Sequence, residues 1–283
     1  MSNLSSFNRF TSSLPETGFV MPMLFVGHGS PMNAIEENDF SREWQRLGRE
    51  LPRPAAVLVV SAHWLTRGTA VTAMDAPPTI HDFGGFPPEL FAVQYPAPGD
   101  AALAASVKDL IRGTDVHLDH DWGLDHGAWS IVKHLFPGAD IPVLQLSMDG
   151  SKGPRWHYEL ARELAALRCK GVLILASGNM IHNLRMLHLP GGDMNRINTE
   201  WGYDWAHELN TRFKDKLLNG DHDALLHYES LHPDARLAIP TPEHYLPLLY
   251  TLGLQEKNDV PTLFNDRVIA GSLSMTSVLY GAA

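Results

Sequence analysis

Two histidines each close an apolar run of this 283-residue chain. Met21-Pro22-Met23-Leu24-Phe25-Val26-Gly27 leads into His28-Gly29-Ser30-Pro31, and Ala55-Ala56-Val57-Leu58-Val59-Val60-Ser61-Ala62 leads into His63-Trp64. In an open α/β sheet ligands gather at the C-terminal ends of strands, and a neutral imidazole is a common metal ligand. One such histidine reads equally well as a core residue bonded to backbone. Two at parallel positions raise the prospect of a shared metal ion. His182 follows a third buried run, Gly171–Ser177.

A fourth candidate lies in Pro240-Thr241-Pro242-Glu243-His244-Tyr245. Thr241 suits a helix N-cap and Pro242 the first helical position, which predicts Glu243 and His244 in a first turn. Glu243 there complements the helix dipole. A protonated His244 would not, so a neutral, metal-bound imidazole is the sharper reading of that residue. His126, in Asp125-His126-Gly127 between Gly and Trp residues, is a candidate acid/base beside a carboxylate, although adjacent loop residues often point apart. His117, His120, His134, His157, His188, His207, His222 and His227 read as solvated surface residues, and His232 as a loop residue. His81-Asp82-Phe83-Gly84-Gly85-Phe86-Pro87 reads as a pocket wall or lid rather than a ligand set.

Composition narrows the chemistry. Hydrophobic residues make up 44% and charged residues 19%, as in ordinary globular proteins. The net charge of −10 comes without a basic stripe, so neither nucleic acid nor an anionic membrane is an expected partner. The single cysteine, Cys169, excludes an internal disulfide framework and a Cys-rich metal site. Fifteen histidines leave nitrogen and oxygen ligands, which suit Fe(II), Zn, Mn or Ni. There is no Gly-x-Ser-x-Gly elbow, no Walker loop or dinucleotide fingerprint, and no His-Glu-x-x-His. Residues 1–20 read as a flexible arm without signal-peptide character, and the cytoplasm is the expected location.

The elements that must carry these residues alternate. Strands are expected at Met23–Val26, Val57–Ser61, Thr69–Ala73, Val116–Leu118, Pro142–Ser147, Gly171–Ser177 and Val268–Met275. Helices are expected at Asp39–Leu51, Asp100–Arg112, Ala128–Phe136, Pro154–Leu167, Thr199–Asn219, Asp221–Tyr228 and Pro242–Leu252, with a long loop over Ile80–Pro98. The alternation predicts one layered α/β domain, residues 21–283, around a mainly parallel sheet flanked by helices.

With these segments in view, the chain resembles the class III extradiol ring-cleavage dioxygenases, typified by the catalytic subunit of protocatechuate 4,5-dioxygenase, and within them the DOPA 4,5-dioxygenase branch. The resemblance is carried by Gly27–Pro31, Ser61–Trp64, His81–Pro87, Tyr95–Gly99, Gly123–Trp129, Ser177–Leu184, Pro242–Leu248 and Gly271–Met275, in register along the chain. It implies a central mixed sheet and a metal at strand ends, with His28 and His63 as ligands. The third ligand, a glutamate in the aromatic-acid enzymes, corresponds here to His244 with Glu243 beside it. His182 matches an acid/base histidine that is also a possible fourth ligand, and His126 matches a second pocket histidine. The resemblance implies Fe(II) for turnover, with Zn(II) able to occupy the same site. It implies a small aromatic diol and dioxygen as partners, a muconic semialdehyde product, and a monomer or small homo-oligomer. Trp64, Phe83, Phe86 and Tyr95 are then candidate walls for the aromatic ring, or core residues. Two other functions use the same histidines: a zinc-dependent hydrolase, and a non-catalytic metal-binding protein.

Overall fold

The computed structural model describes residues 17–282. The expected arm at 1–20 lies outside the described residues as far as residue 16. Residues 17–20 run irregularly, with the Thr17 N–H donating to the Cys169 carbonyl at 3.3 Å.

The strands are β1 (Met23–Gly27), β2 (Ala56–Thr66), β3 (Thr69–Thr72), β4 (Val116–Asp119), β5 (Val143–Asp149), β6 (Val172–Gly178), β7 (Asp259–Phe264), β8 (Val268–Ile269), β9 (Leu273–Ser274) and β10 (Ser277–Ala282). Eight of them form one mixed, mostly parallel sheet in the order β4-β3-β5-β2-β6-β1-β10-β7, and β8 pairs with β9 alone. The longer helices are α1 (Asp39–Glu50), α2 (Ala101–Leu110), α3 (His126–Leu135), α4 (Pro154–Arg162), α5 (Asp204–Leu218) and α6 (Leu246–Leu254). Among the described residues no helix is long and apolar enough to cross a membrane.

The central strands β1, β5 and β6 are buried at every residue, as continuous aliphatic runs covered on both faces must be. The inner faces pack into two apolar clusters, one on each side of the sheet. β6 pairs in parallel with β1 and with β2, so Gly27 lies opposite Gly178 and Ser61 opposite Ser177. This register brings the C-terminal ends of three strands from distant parts of the chain to one edge.

Several expectations need correction. β2 does not stop before His63 but runs to Thr66, and its pairing with β5 shifts register between Val60 and Leu65. The shift re-aims the side chains of the segment that contains His63. The segment Val268–Met275 is not one strand but the β8–β9 hairpin, and the sheet is completed by β10 and β7. The Pro154–Leu167 helix breaks after Arg162, and the Thr199–Asn219 helix starts only at Asp204. The last helix begins at Leu246, with Pro247 in its first turn, rather than at Pro242. A start at Pro242 would put Pro247 inside the helix, where its missing N–H breaks a hydrogen bond. Glu243 and His244 therefore sit in the preceding turn. His157 is fully buried rather than solvated, with Nδ1 3.1 Å from the Tyr250 hydroxyl.

Candidate metal centre

His28 leaves β1 with its N–H donating to the Gly178 carbonyl, 3.1 Å away on β6. Its Nδ1 lies 3.1 Å from Ser177 Oγ. His63, in the register shift of β2, sets Nδ1 3.3 Å from Asp82 Oδ2. In the tautomer that donates Nδ1–H to these oxygens, both rings turn a lone-pair Nε2 inward. The two Nε2 atoms face one another at 3.2 Å.

His244 completes the group. Its backbone carbonyl accepts from the Asn179 N–H at 2.8 Å, which holds its turn against the end of β6. Gly178 permits that approach, because an added Cβ would overlap the His244 carbonyl oxygen. The His244 ring lies 5.3 Å from His28 and 5.1 Å from His63, centroid to centroid. Ligand atoms of His28, His63 and His244 all fall within 4.8 Å of one another. The Nε2 of His244 is buried without a hydrogen-bond partner among the described residues.

These three rings are held neutral. Burial, then the neighbouring imidazoles His63, His244, His126 and His182, keep His28 well below the ordinary histidine range. Burial and His126 push His63 down to about 3, against the pull of Asp82. Burial, then His182, His63 and His126, lower His244 in the same way. Facing lone pairs, an orphaned buried nitrogen and suppressed protonation are what a metal ion between three imidazoles resolves. The donor set fits such an ion, and its chemistry suits Fe(II) or Zn(II) alike.

The other candidates fall around this group. His182 lies flat against His244, with ring centroids 3.5 Å apart. Burial lowers it to about 4, although Glu243 pulls upward. Glu243 stands outside the three-histidine group. Its Oε1 accepts from the Thr241 hydroxyl at 2.7 Å and lies 3.4 Å from His244 Nδ1. His126 opens α3, 3.9 Å from the His63 ring, with Nδ1 and its backbone N–H on Asp82 Oδ1 at 3.0 and 2.9 Å. Its partner is thus Asp82, not the adjacent Asp125. Asp125 points into the core, where Ser61 Oγ and Gln145 Nε2 both donate to it at 2.7 Å. Burial raises its pKa, as does the nearby Asp82.

Sequence reasoning read the stretch around Asp82 as a pocket wall or lid and missed its pairing with two histidines. One carboxylate serves both His63 and His126. Burial works to raise its pKa, but the hydrogen bonds and charge of His126, then His63, outweigh it and leave it below the usual range. Its loop also delivers Phe83, whose ring stands 5.4 Å from His126 and 5.4 Å from Phe86. Trp64 and Tyr95 are not brought to the cluster. Trp64 stacks on Trp122 at 5.7 Å, and the buried Tyr95 donates its hydroxyl to the Phe136 carbonyl at 2.8 Å.

A layered α/β sheet with three imidazoles converging at its strand ends, His28 and His244 buried and His63 partly so, is the framework of a metal-dependent enzyme. Residues 20–273 match the family described as the catalytic LigB subunit of aromatic ring-opening dioxygenase, and the chain belongs to that family. It is by class an extradiol dioxygenase, an oxidoreductase that acts on aromatic rings and depends on a metal. Escherichia coli K12 has a relative named 4,5-DOPA dioxygenase extradiol, 49% identical over 92% of this chain and 95% of its own length. A protein of the same name from Beta vulgaris is 36% identical over 89% of this chain and 94% of its own. The fold resembles the crystal structure of an uncharacterized protein from Escherichia coli K12, with a TM-score of 0.78 and 44% identity over 92% of this chain and all of that one.

Proposed function

We propose that this chain opens the ring of a catechol such as DOPA by 4,5-extradiol cleavage. The bond beside the diol breaks, both atoms of dioxygen enter the product, and a muconic semialdehyde results. His28, His63 and His244 hold the metal in this reading. The observation that carries it is the pair of inward Nε2 atoms of His28 and His63, 3.2 Å apart beside the unpartnered Nε2 of His244. Fe(II) is the ion proposed for turnover, because a redox metal supplies the electron path between diol and dioxygen that zinc lacks.

The protein's own groups do the rest. His182, neutral and half-buried against His244, takes a phenolic proton from the diol. His126 is anchored at Nδ1 by Asp82 and so turns the Nε2 lone pair of its neutral ring toward substrate, where it accepts a hydrogen bond from a substrate hydroxyl and can later return a proton it has taken. Phe83 and Phe86 form an apolar wall beside His126 that keeps water from the ring. Aromatic face and edge contacts of this kind orient a flat substrate.

An all-imidazole ligand set also suits zinc-bound hydroxide, which gives a second reading as a hydrolase. Anaerobic loading with Fe(II), followed by air and a panel of catechols, tests the proposal. A yellow ring-opened product with matching oxygen uptake is the expected result. Ester or amide cleavage with zinc would favour the hydrolase, and inertness with every metal a non-catalytic metal-binding protein.

A further inference from the structure

A cleft of about 260 Å³ opens beside the histidine cluster, lined by His182, Asn183, Arg185, Pro240, Thr241 and Glu243. Its walls carry opposite charges from separate stretches of chain. Arg185 stands on the short turn after β6, exposed, with no ion pair or side-chain hydrogen bond of its own among the described residues. Glu243 stands on the turn before α6, its Oε1 held by the Thr241 hydroxyl.

The Arg185 wall is built rather than loose. Asn183, buried, donates its N–H to the Ser272 carbonyl at 3.2 Å and accepts from Ser272 Oγ at 2.8 Å. Its Nδ2 donates to the Leu237 carbonyl at 2.7 Å, and its Oδ1 accepts the Arg185 N–H at 3.0 Å. A side chain so fully engaged fixes the backbone that presents the guanidinium. The cleft also borders His182, the residue proposed to act on the diol. Whatever hangs from a catechol seated at the histidines can therefore enter a cleft whose lining carries one cation and one anion.

We propose that this cleft selects catechols bearing an amino-acid tail. Arg185 pairs with the tail carboxylate, and Glu243 faces its ammonium group. The inference rests on the dioxygenase reading above and adds the substrate's side chain to it. A guanidinium–carboxylate pair is charge-assisted and can be bidentate, so it discriminates strongly for its size.

The test compares Fe(II)-loaded enzyme and its R185Q, R185K and R185E variants on four catechols: L-DOPA, 3-(3,4-dihydroxyphenyl)propionate, dopamine and 4-methylcatechol. The readout is the ratio of kcat/KM values between substrates with and without a carboxylate. R185Q should lower the ratio of L-DOPA to dopamine, and of the propionate to 4-methylcatechol, about tenfold, mainly through KM. R185K should give an intermediate ratio, and R185E should favour dopamine. Ratios unchanged in R185Q and R185E would overturn the proposal, even if overall activity fell. Anaerobic calorimetry of L-DOPA and dopamine on the same proteins separates the two readings. If no catechol is opened, the dioxygenase reading fails, while selective weakening of L-DOPA binding in R185Q still supports the cleft and equal affinities overturn it.

Discussion

The imidazole of His182 lies parallel to that of His244, with planes 6° apart and centroids separated by 3.5 Å. The two rings come from different turns, His182 after β6 and His244 before α6. His244 is the deeper of the pair, and its Nε2 is sealed from solvent. His182 borders the cleft. In the function proposed above, the stack sets the metal ligand behind and the proton acceptor in front.

From that division of roles, His182→Ala should lower kcat about 10²–10⁴-fold, the usual worth of general acid–base help. Metal content, read by inductively coupled plasma mass spectrometry, should stay near that of the unsubstituted protein. Loss of the metal would make His182 a ligand instead.

Asp82 ties His63 and His126 to one carboxylate. Asp82→Asn keeps the shape but removes the charge that orients both rings. Metal affinity should weaken about 10–100-fold, as outer carboxylates of ligand histidines commonly cause. Competition with a chromophoric chelator measures this. An unaltered affinity would mean that Asp82 acts on His126 alone.

The metal-free protein should lose stability as pH falls below neutrality. His63 and His182 are lowered to about 3 and about 4 in the fold, whereas an unfolded histidine titrates near 6.5. Between those values the unfolded chain binds more protons than the native one, so stability drops as pH falls, by about 1.4 kcal/mol per pH unit for each such histidine. Urea midpoints at pH 7 and pH 5 should differ in that direction, and bound metal should deepen the dependence because protons compete for its ligands. A flat profile would contradict burial of neutral rings.

Two glycines permit the site's close approaches. At Gly127 a Cβ would stand 2.5 Å from Ser61 Oγ and 2.9 Å from His63 Cδ2. At Gly178 it would overlap the His244 carbonyl oxygen. Gly178→Ala must shift the His244 backbone and Gly127→Ala must displace the Ser61 hydroxyl and the His63 ring, so each should lower the melting temperature by several degrees and weaken metal binding as well. Thermal scans with and without added Fe(II) or Zn(II) read both effects.

Much of this arrangement is legible in the chain. The runs before His28 and His63 announce buried strands, because only continuous aliphatic sequence survives burial on both faces. His244 stands out by residue type, yet its helical position was misread, since Pro247 rather than Pro242 sets the start of α6. β7 escaped notice because Pro261 argues against a strand. It is tolerated there because β7 is the sheet's edge, where one face of the backbone needs no partner. The stretch that holds Asp82 reads as a pocket wall or lid, but nothing in it marks the carboxylate as a partner of two histidines. Its partners lie 19 and 44 residues away in sequence, so neither periodicity nor adjacency marks the pairing, and the neighbouring Asp125 offered a false one.

The most direct test of the account is an anomalous-scattering crystal structure of the protein loaded anaerobically with Fe(II). It should place one iron among the imidazole nitrogens of His28, His63 and His244, with Glu243 outside the coordination shell. Iron bound through the Glu243 carboxylate in place of His244, or His28 and His63 facing separate ions, would contradict it.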